Sequence, residues 1–479
     1  MYSSFGLYWN GNWQTASGKS IPVISPVTEE VLGEAPGATK ADTVQAIESA
    51  VSGTAQWRKV GAWERSRLLK KAAEMMREKT EEMARWLTME LGKPLDQSEG
   101  EFGMAIEQFE WYAEETKRIN GQVMESRQPN AKVMIQHEPV GVVAALTSWN
   151  FPVVLAARKI APAIAAGCSV ILRPAEEAPG SVMSFIQCLH EVGFPSGVIN
   201  LINGYPDNVS PVLMSDKRVR KISLTGSTRV GKLLLKASAE TLKRTSMELG
   251  GHAPVIVYDD ADAELVAEQA AIVKFKHCGQ VCASPSRYFI HEKSVDAFSN
   301  KFIETTKKFK LGDGIDKGVD IGPLATEKRR EEVEQMVSGT LESGARLRLG
   351  GKRPEGFERG FFYEPTVFDR VPDHAPIMTE EPFGPLVPIT TFQNFDEVTE
   401  RANSIEYGLT SYIFTRSQRL AHETADALEA GMVAVNTFAL ASAETPYGGV
   451  KQSGFGREGG SQGIHDYLNI KYINMMMEE

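Results

Sequence analysis

Two short stretches of the sequence hold residue types whose spacing can support covalent chemistry. In Lys274-Phe275-Lys276-His277-Cys278-Gly279-Gln280-Val281-Cys282-Ala283-Ser284-Pro285, the thiol of Cys282 lies between a Gly-Gln turn and the small pair Ala-Ser. Little side-chain bulk flanks it, so an electrophilic carbon can approach the sulfur. Most unpaired cysteines are buried small residues, and this segment alone does not outweigh that. The second stretch, Met247-Glu248-Leu249-Gly250-Gly251-His252-Ala253-Pro254, sets a carboxylate beside a paired-glycine turn and gives the thiol a chemical partner.

The elements that must position these residues are legible in the hydrophobic pattern. Residues 1–38 read as an arm of short strands and turns ending at Pro36-Gly37. Apolar residues then recur at three- and four-residue intervals from Lys40 to Val51, Arg67 to Met76 and Thr80 to Leu91, which predicts helices stopped by Gly92-Lys93-Pro94. A further amphipathic helix is expected over 103–117, its aromatics Phe109, Trp111 and Tyr112 assigned to packing. Residues 121–138 alternate across a Gln128-Pro129-Asn130 turn and predict a β-hairpin, whose exposed edges another subunit can cover.

From Val140 strands alternate with helices. Strands are expected at 140–147, 169–172, 198–202, 221–225 and 255–257, and helices at 153–166, 180–190, 231–239, 263–277 and 295–309, with more alternation from Thr390 to Val435. That order predicts an α/β fold with a doubly wound parallel sheet, whose ligands bind beyond the carboxyl ends of the strands. Three such ends carry polar groups. Asn150, in Thr147-Ser148-Trp149-Asn150-Phe151-Pro152, offers an amide N–H for an oxyanion. Arg173 and Glu176 pair a cation with a carboxylate suited to ribose hydroxyls. Thr225-Gly226-Ser227-Thr228-Arg229-Val230-Gly231 runs from strand into helix, where backbone N–H groups can meet a pyrophosphate, although the Gly-x-Gly-x-x-Gly fingerprint is missing.

Composition excludes several classes. The 479 residues exceed one small core and imply two or three packed units. A net charge of -10 argues against a nucleic-acid-coating surface. No stretch approaches the apolar length of a membrane span, and no secretory signal opens the chain. Four cysteines, at 168, 188, 278 and 282, have neither disulfide-framework density nor metal-ligand spacing, so a cytoplasmic protein without a metal site is expected.

The stretches Trp149-Asn150-Phe151-Pro152, Thr225-Gly226-Ser227-Thr228, Glu248-Leu249-Gly250-Gly251, Gly279-Gln280-Val281-Cys282, Glu381-Pro382-Phe383-Gly384-Pro385 and Pro446-Tyr447-Gly448-Gly449-Val450-Lys451-Gln452-Ser453-Gly454 together resemble the aldehyde dehydrogenase superfamily over essentially the whole chain. The resemblance implies a Rossmann-type cofactor domain at 1–120 and 139–249, a second α/β catalytic domain at 250–448, and oligomerisation or bridging segments at 121–138 and 449–479, in a homodimer or homotetramer. It implies that Cys282 is the nucleophile, that Asn150 and the Cys282 N–H hold the oxyanion, and that Glu248 activates the water that hydrolyses a thioester. Lys159 and Glu458 match positions near a proton-relay path. Trp149, Arg173, Glu176, Gly226, Ser227, Leu249, Glu381 and Phe383 would bind the cofactor. Arg173 replaces the usual lysine and can reach a 2′-phosphate, whereas Glu176 would repel one, so NAD is favoured with NADP possible. His252 stands where many relatives carry lysine and is expected to pack. Cys278 is expected to be a spectator thiol.

Arg158, Lys276 and Ser442 match positions that, in the succinate semialdehyde branch, hold the distal carboxylate, with Lys276 in place of arginine. An anionic aldehyde is therefore expected. Glu248 to Val257 is equally similar to bacterial α-ketoglutarate semialdehyde dehydrogenases, which leaves a longer or oxidised dicarboxylic semialdehyde, α-ketoglutarate or glutarate semialdehyde, as an alternative, beside a sulfonated or broad-range aldehyde. Retention of both Glu248 and Cys282 argues against coenzyme A as acyl acceptor and against an inactive binding relative.

Overall fold

The computed structural model describes residues 5–477. The first four residues of the expected N-terminal arm and the last two of the C-terminal segment lie outside that range. Two open α/β sheets are built in succession. In the first, five parallel strands run in the spatial order Ile199–Leu201, Ser169–Arg173, Val142–Leu146, Val219–Thr225, Arg244–Glu248. The chain starts in the middle with Val142–Leu146, winds outward to one side, and returns to the other with Val219–Thr225. A topological switch point therefore opens between these two strands, where their carboxyl ends diverge. Short antiparallel strands close the edges: Leu7–Trp9 and Asn12–Gln14 on one side, Gly454–Phe455 on the other.

The second sheet has the order Arg346–Leu349, Thr366–Asp369, Leu386–Phe392, Pro285–His291, Ala253–Val257, Thr410–Phe414, Met432–Val435, parallel except at the first pair. Glu248 ends the last parallel strand of the first sheet, and Leu249 to His252 carry the chain straight to Ala253, which opens the first strand of the second. The carboxyl ends of one sheet thus meet the amino ends of the other.

The helix Pro152–Ala166 lies on the first sheet, and every residue in it is buried. Pro152 fits the first turn, where its missing N–H costs nothing, and Gly167 ends the helix at φ +96°, a conformation that glycine adopts without Cβ strain. The long helix Ala62–Leu91 joins what periodicity divides into two, and it buries Leu69, Met76, Leu87 and Leu91 at about 2 kcal/mol each. The expected hairpin forms from Gln122–Glu125 and Ala131–Pro139, and Leu468–Met476 pairs with it in antiparallel register, Leu468 opposite Pro139. Val123, Ile470 and Tyr472 are exposed on this three-stranded sheet.

One helix departs from expectation. The segment predicted over 263–277 ends at Lys274, because His277, Cys278 and Gly279 take φ values of +46°, +53° and +74°, which no right-handed helix accommodates. The left-handed turn redirects the chain toward Cys282. Among the described residues no helix is long and apolar enough to cross a membrane.

Candidate active site

The junction of the two sheets gathers most of the residues singled out above. Cys282 is partly exposed on the loop before Pro285–His291, and its sulfur lies 3.1 Å from the Tyr447 hydroxyl. Burial pushes the thiol up to about 11, against which the Tyr447 hydrogen bond and the Arg158 charge pull down. Among the described residues no carbonyl accepts the Cys282 N–H, which leaves it free for an oxyanion. Asn150 is buried, with Nδ2 donating to the Gln280 carbonyl at 3.1 Å, so one amide hydrogen fixes the side chain while the other can serve a ligand.

The support beneath Asn150 is a closed polar network. Lys93 Nζ donates to the Asn150 carbonyl at 3.0 Å and pairs with Glu101 at 2.6 Å, both side chains being fully buried. The other Glu101 oxygen accepts the N–H groups of Val153 and Val154, at 2.8 and 3.2 Å. Glu101 thereby caps the helix that carries Arg158 and Lys159. Sequence pattern assigns neither Lys93 nor Glu101 a role: Lys93 sits in a Gly-Lys-Pro stop, and Glu101 precedes the helix expected over 103–117, whereas the helix in fact spans Leu95–Glu115 and includes it.

Glu248 presents the opposite situation. Its carboxyl is buried, and neither oxygen finds a hydrogen-bond partner among the described residues. Burial, and next the charge of Glu458, push it well above the usual carboxylate range. The approach is close: a Cβ on Gly448 would come within 2.7 Å of Glu248 Oε1. Lys159 and Glu458 form a buried ion pair, and Lys159 Nζ also donates to Thr225 Oγ1 at 2.7 Å. The glycine turn brings the two active segments together, since a Cβ on Gly251 would lie 2.5 Å from the Cys282 carbonyl oxygen and one on Gly250 would lie 2.6 Å from Glu381 Oε2.

Arg158 is buried with its guanidinium 4.3 Å from the Tyr447 ring centroid, and its Nε finds no hydrogen-bond partner. Among the described residues it forms no ion pair. Ser442 is partly buried on the loop before Pro446 and bonds locally to Thr445. Lys276 is exposed at the start of the left-handed turn and does not enter this cluster through any hydrogen bond or ion pair among the described residues. His252 is buried with Nδ1 2.8 Å from Ser286 Oγ and Nε2 3.1 Å from the Ile377 carbonyl, a packing arrangement in which burial holds the ring well below its usual pKa. Cys278 is fully buried and pushed up to about 12. Tyr447 lies in Pro446-Tyr447-Gly448-Gly449, where the sequence gives no sign of its contact with Cys282 beyond a hydroxyl on a ring that packing alone does not require.

The switch-point crevice has the features a dinucleotide needs. The helix Thr228–Ser238 begins there, with the Ser227 side chain capping Val230 N–H at 3.3 Å, so the preceding turn directs helix-dipole charge outward. The Gly226 N–H instead bonds the Glu248 carbonyl at 3.0 Å, and Leu249 N–H bonds the Ser453 carbonyl at 3.0 Å. Arg173 is paired with Glu176 and donates to the Gly204 carbonyl at 3.0 Å. Buried polar atoms at the strand ends, Thr147 Oγ1, Arg173 Nε and both side-chain polar atoms of Asn203, have no partner among the described residues. Trp149 meets Phe383 edge-on at 5.5 Å. Glu381 accepts the Gly251 N–H at 3.1 Å, and burial raises its carboxyl to about 7. Unsatisfied polar groups, an aromatic wall and a helix N-terminus at one crevice fit the adenosine, pyrophosphate and nicotinamide portions of NAD(P). Among the described residues no cluster of three or more His, Cys, Asp or Glu is placed to hold a metal ion.

The description of the aldehyde dehydrogenase family matches residues 13–473.

This chain belongs to the aldehyde dehydrogenase family.

Full-length relatives agree. The chain is 40% identical to a glutarate-semialdehyde dehydrogenase of Pseudomonas putida, covering 97% of this chain and 96% of that protein. It is 42% identical to a 3-sulfolactaldehyde dehydrogenase of Pseudomonas putida, covering 97% and 95%, and 40% identical to the NADP(+) succinate-semialdehyde dehydrogenase GabD of Escherichia coli, covering 97% and 96%. The crystal structure of a succinate-semialdehyde dehydrogenase from Burkholderia pseudomallei superposes with a TM-score of 0.96 at 40% identity over 98% of both chains. As an aldehyde dehydrogenase, the chain is an oxidoreductase acting on aldehydes, with the α/β fold of that family.

Proposed function

We propose that this aldehyde dehydrogenase oxidises an aldehyde bearing a distal anionic group, a dicarboxylic semialdehyde such as succinate or glutarate semialdehyde, to the corresponding acid. The observation that carries the reading is Arg158. A guanidinium buried without a carboxylate partner is costly, and an anionic ligand would relieve that cost within reach of the Tyr447–Cys282 contact. Relatives named for succinate, glutarate and sulfolactaldehyde substrates support an anion, and the last keeps a sulfonate in view as a second reading.

Cys282 attacks the aldehyde carbon, and the oxygen that becomes negative is received by the Asn150 amide and the Cys282 N–H. NAD(P), when bound, supplies the two-electron oxidant; Trp149, Arg173, Glu176, Gly226, Ser227, Leu249, Glu381 and Phe383 would hold it. Glu248 then takes the proton of the water that releases the acid. Its unpartnered oxygens and raised carboxyl suit a base that is poised and unengaged at rest. Lys159 and Glu458 would conduct that proton away, Ser442 would assist Arg158, the exposed Lys276 contributing only its charge, and water rather than coenzyme A would be the acceptor. The two-sheet division supports domains at 1–120 with 139–249, and at 250–448, joined by segments 121–138 and 449–479. The exposed three-stranded sheet supports a homo-oligomer, and four free cysteines fit the cytoplasm.

The test is a kcat/KM panel of C4, C5 and keto-dicarboxylic semialdehydes, a sulfonated aldehyde and neutral aldehydes, run with each nicotinamide cofactor. Cys282→Ala should abolish NAD(P)H formation. Arg158→Ala should raise KM for the preferred anionic aldehyde by about ten- to a hundredfold and that for a neutral aldehyde little; equal losses would refute the anion anchor.

A further inference from the structure

Tyr447 sits where few tyrosines could have an incidental role. It is 7% exposed, and it packs with Leu409 and Met432 in a small core that Cys282 borders. Its backbone is fastened on both sides, Tyr447 N–H to the Glu458 carbonyl at 2.6 Å and Glu458 N–H to the Tyr447 carbonyl at 2.8 Å. The ring therefore has little freedom to swing away. Its hydroxyl meets the Cys282 sulfur at 3.1 Å, within reach of a hydrogen bond to sulfur, and the Arg158 guanidinium covers its face at 4.3 Å.

We propose that the Tyr447 hydroxyl is a catalytic group: it donates a hydrogen bond to the Cys282 sulfur as the thiol loses its proton, and Arg158, stacked on the ring, strengthens that donor. The role rests on the reading of Cys282 as the nucleophile. Either partner can donate while both are neutral, since the contact joins an S–H and an O–H. Burial holds the phenol well above its ordinary range, so the thiol ionises first and the bond then runs from O–H to sulfur. A charge-assisted bond of that kind is stronger than a neutral one. A cation over the ring face withdraws electron density from the phenol and makes its O–H a better donor. The remaining charged groups facing the sulfur, Glu381 and Glu248, oppose ionisation, and Arg158 also favours it directly through space. Among the described residues, Tyr447 is thus the hydrogen-bonding side chain that acts in favour of the thiolate at the Cys282 sulfur.

The experiment follows alkylation of the cofactor-free enzyme by iodoacetamide across pH, with the Cys282 peptide quantified by mass spectrometry to separate it from Cys168, Cys188 and Cys278. The thiol proton goes to buffer, a carbon–sulfur bond forms and iodide leaves. Tyr447→Phe removes one oxygen and should move the inflection up by about one pH unit, a tenfold loss of thiolate below it. Placing 3-fluorotyrosine at 447 keeps the shape and makes the phenol more acidic, so the inflection should move down. That variant carries the test if the phenylalanine form folds poorly. Arg158→Met should also raise the inflection, and by less in the Tyr447→Phe background, because part of its effect passes through the hydroxyl. An unmoved or lowered inflection in Tyr447→Phe, or an unmoved one in the fluorinated enzyme, overturns the proposal, and an Arg158 effect of equal size in both backgrounds overturns the part assigned to Arg158. If Cys282→Ser still oxidises aldehydes, the nucleophile reading itself fails; if it does not and the inflection stays fixed, only the role of Tyr447 fails.

Discussion

Glu101 and Glu248 are both buried glutamates beside the same reaction centre, and they are treated in opposite ways. Every demand of Glu101 is met: one oxygen pairs with Lys93 and the other caps the helix that follows Asn150. No demand of Glu248 is met by a hydrogen bond among the described residues. A satisfied buried acid holds geometry, while an unsatisfied one stores the capacity to take a proton. With Glu248 as the proposed base, the difference separates the part of the site that positions from the part that would react.

The strongest way to break this contrast is to remove each charge in turn. Glu248→Gln should lower steady-state turnover by about 10²- to 10⁴-fold, as loss of a general base does, and leave thermal stability near that of the parent. Glu101→Gln should show its larger effect on stability. Breaking a fully buried pair costs about 3–5 kcal/mol, which calorimetry should register as a lower Tm, with the Asn150 region loosened. If Glu101→Gln kept its Tm and Glu248→Gln lost it, the roles would be exchanged.

A finer probe is pH. The Glu248 carboxyl is raised in the folded chain, so between its ordinary range near 4.5 and its higher folded value the folded state binds more protons than the unfolded. That contribution to stability is complete at low pH and is lost as pH rises through this window, while the capacity to act as base grows. The Tm of the parent should therefore fall relative to that of Glu248→Gln as pH increases from about 4.5, over the range in which turnover climbs. A Tm difference independent of pH would show that Glu248 ionises as it would in water.

The smallest expected effect lies in the cofactor crevice, where Glu176 resembles Glu101 more than Glu248 because it already pairs with Arg173. Glu176→Gln should free the Arg173 fork and remove a repelling charge, lowering KM for NADP by roughly three- to tenfold relative to NAD. Unchanged cofactor preference would remove Glu176 from contact with the ribose.

The sequence was most informative where chemistry and periodicity coincide. The alternation from Val140 onward located four of the five parallel strands of the first sheet but not Arg244–Glu248, which lies between an expected helix and the glycine turn, and the structure brings Cys282, Glu248 and Asn150 to the sheet junction. Local pattern could not show that Lys93 and Glu101 close a network under Asn150, because their value depends on a helix that arrives fifty residues later. Nor could it foresee the left-handed turn at His277 and Cys278, which overrides an uninterrupted helical pattern. The exposed position of Lys276 follows from that turn.

The paired glycines between the sheets set a tolerance on the whole molecule. With 2.5 Å between the Cβ position of residue 251 and the carbonyl of Cys282, even one added methyl group would act as a wedge that drives the Cys282 backbone from Glu248 at the end of the first sheet. Changes in aldehyde preference can therefore be explored on the Arg158 helix and the Ser442 loop, whereas the seam itself has no clearance left to vary.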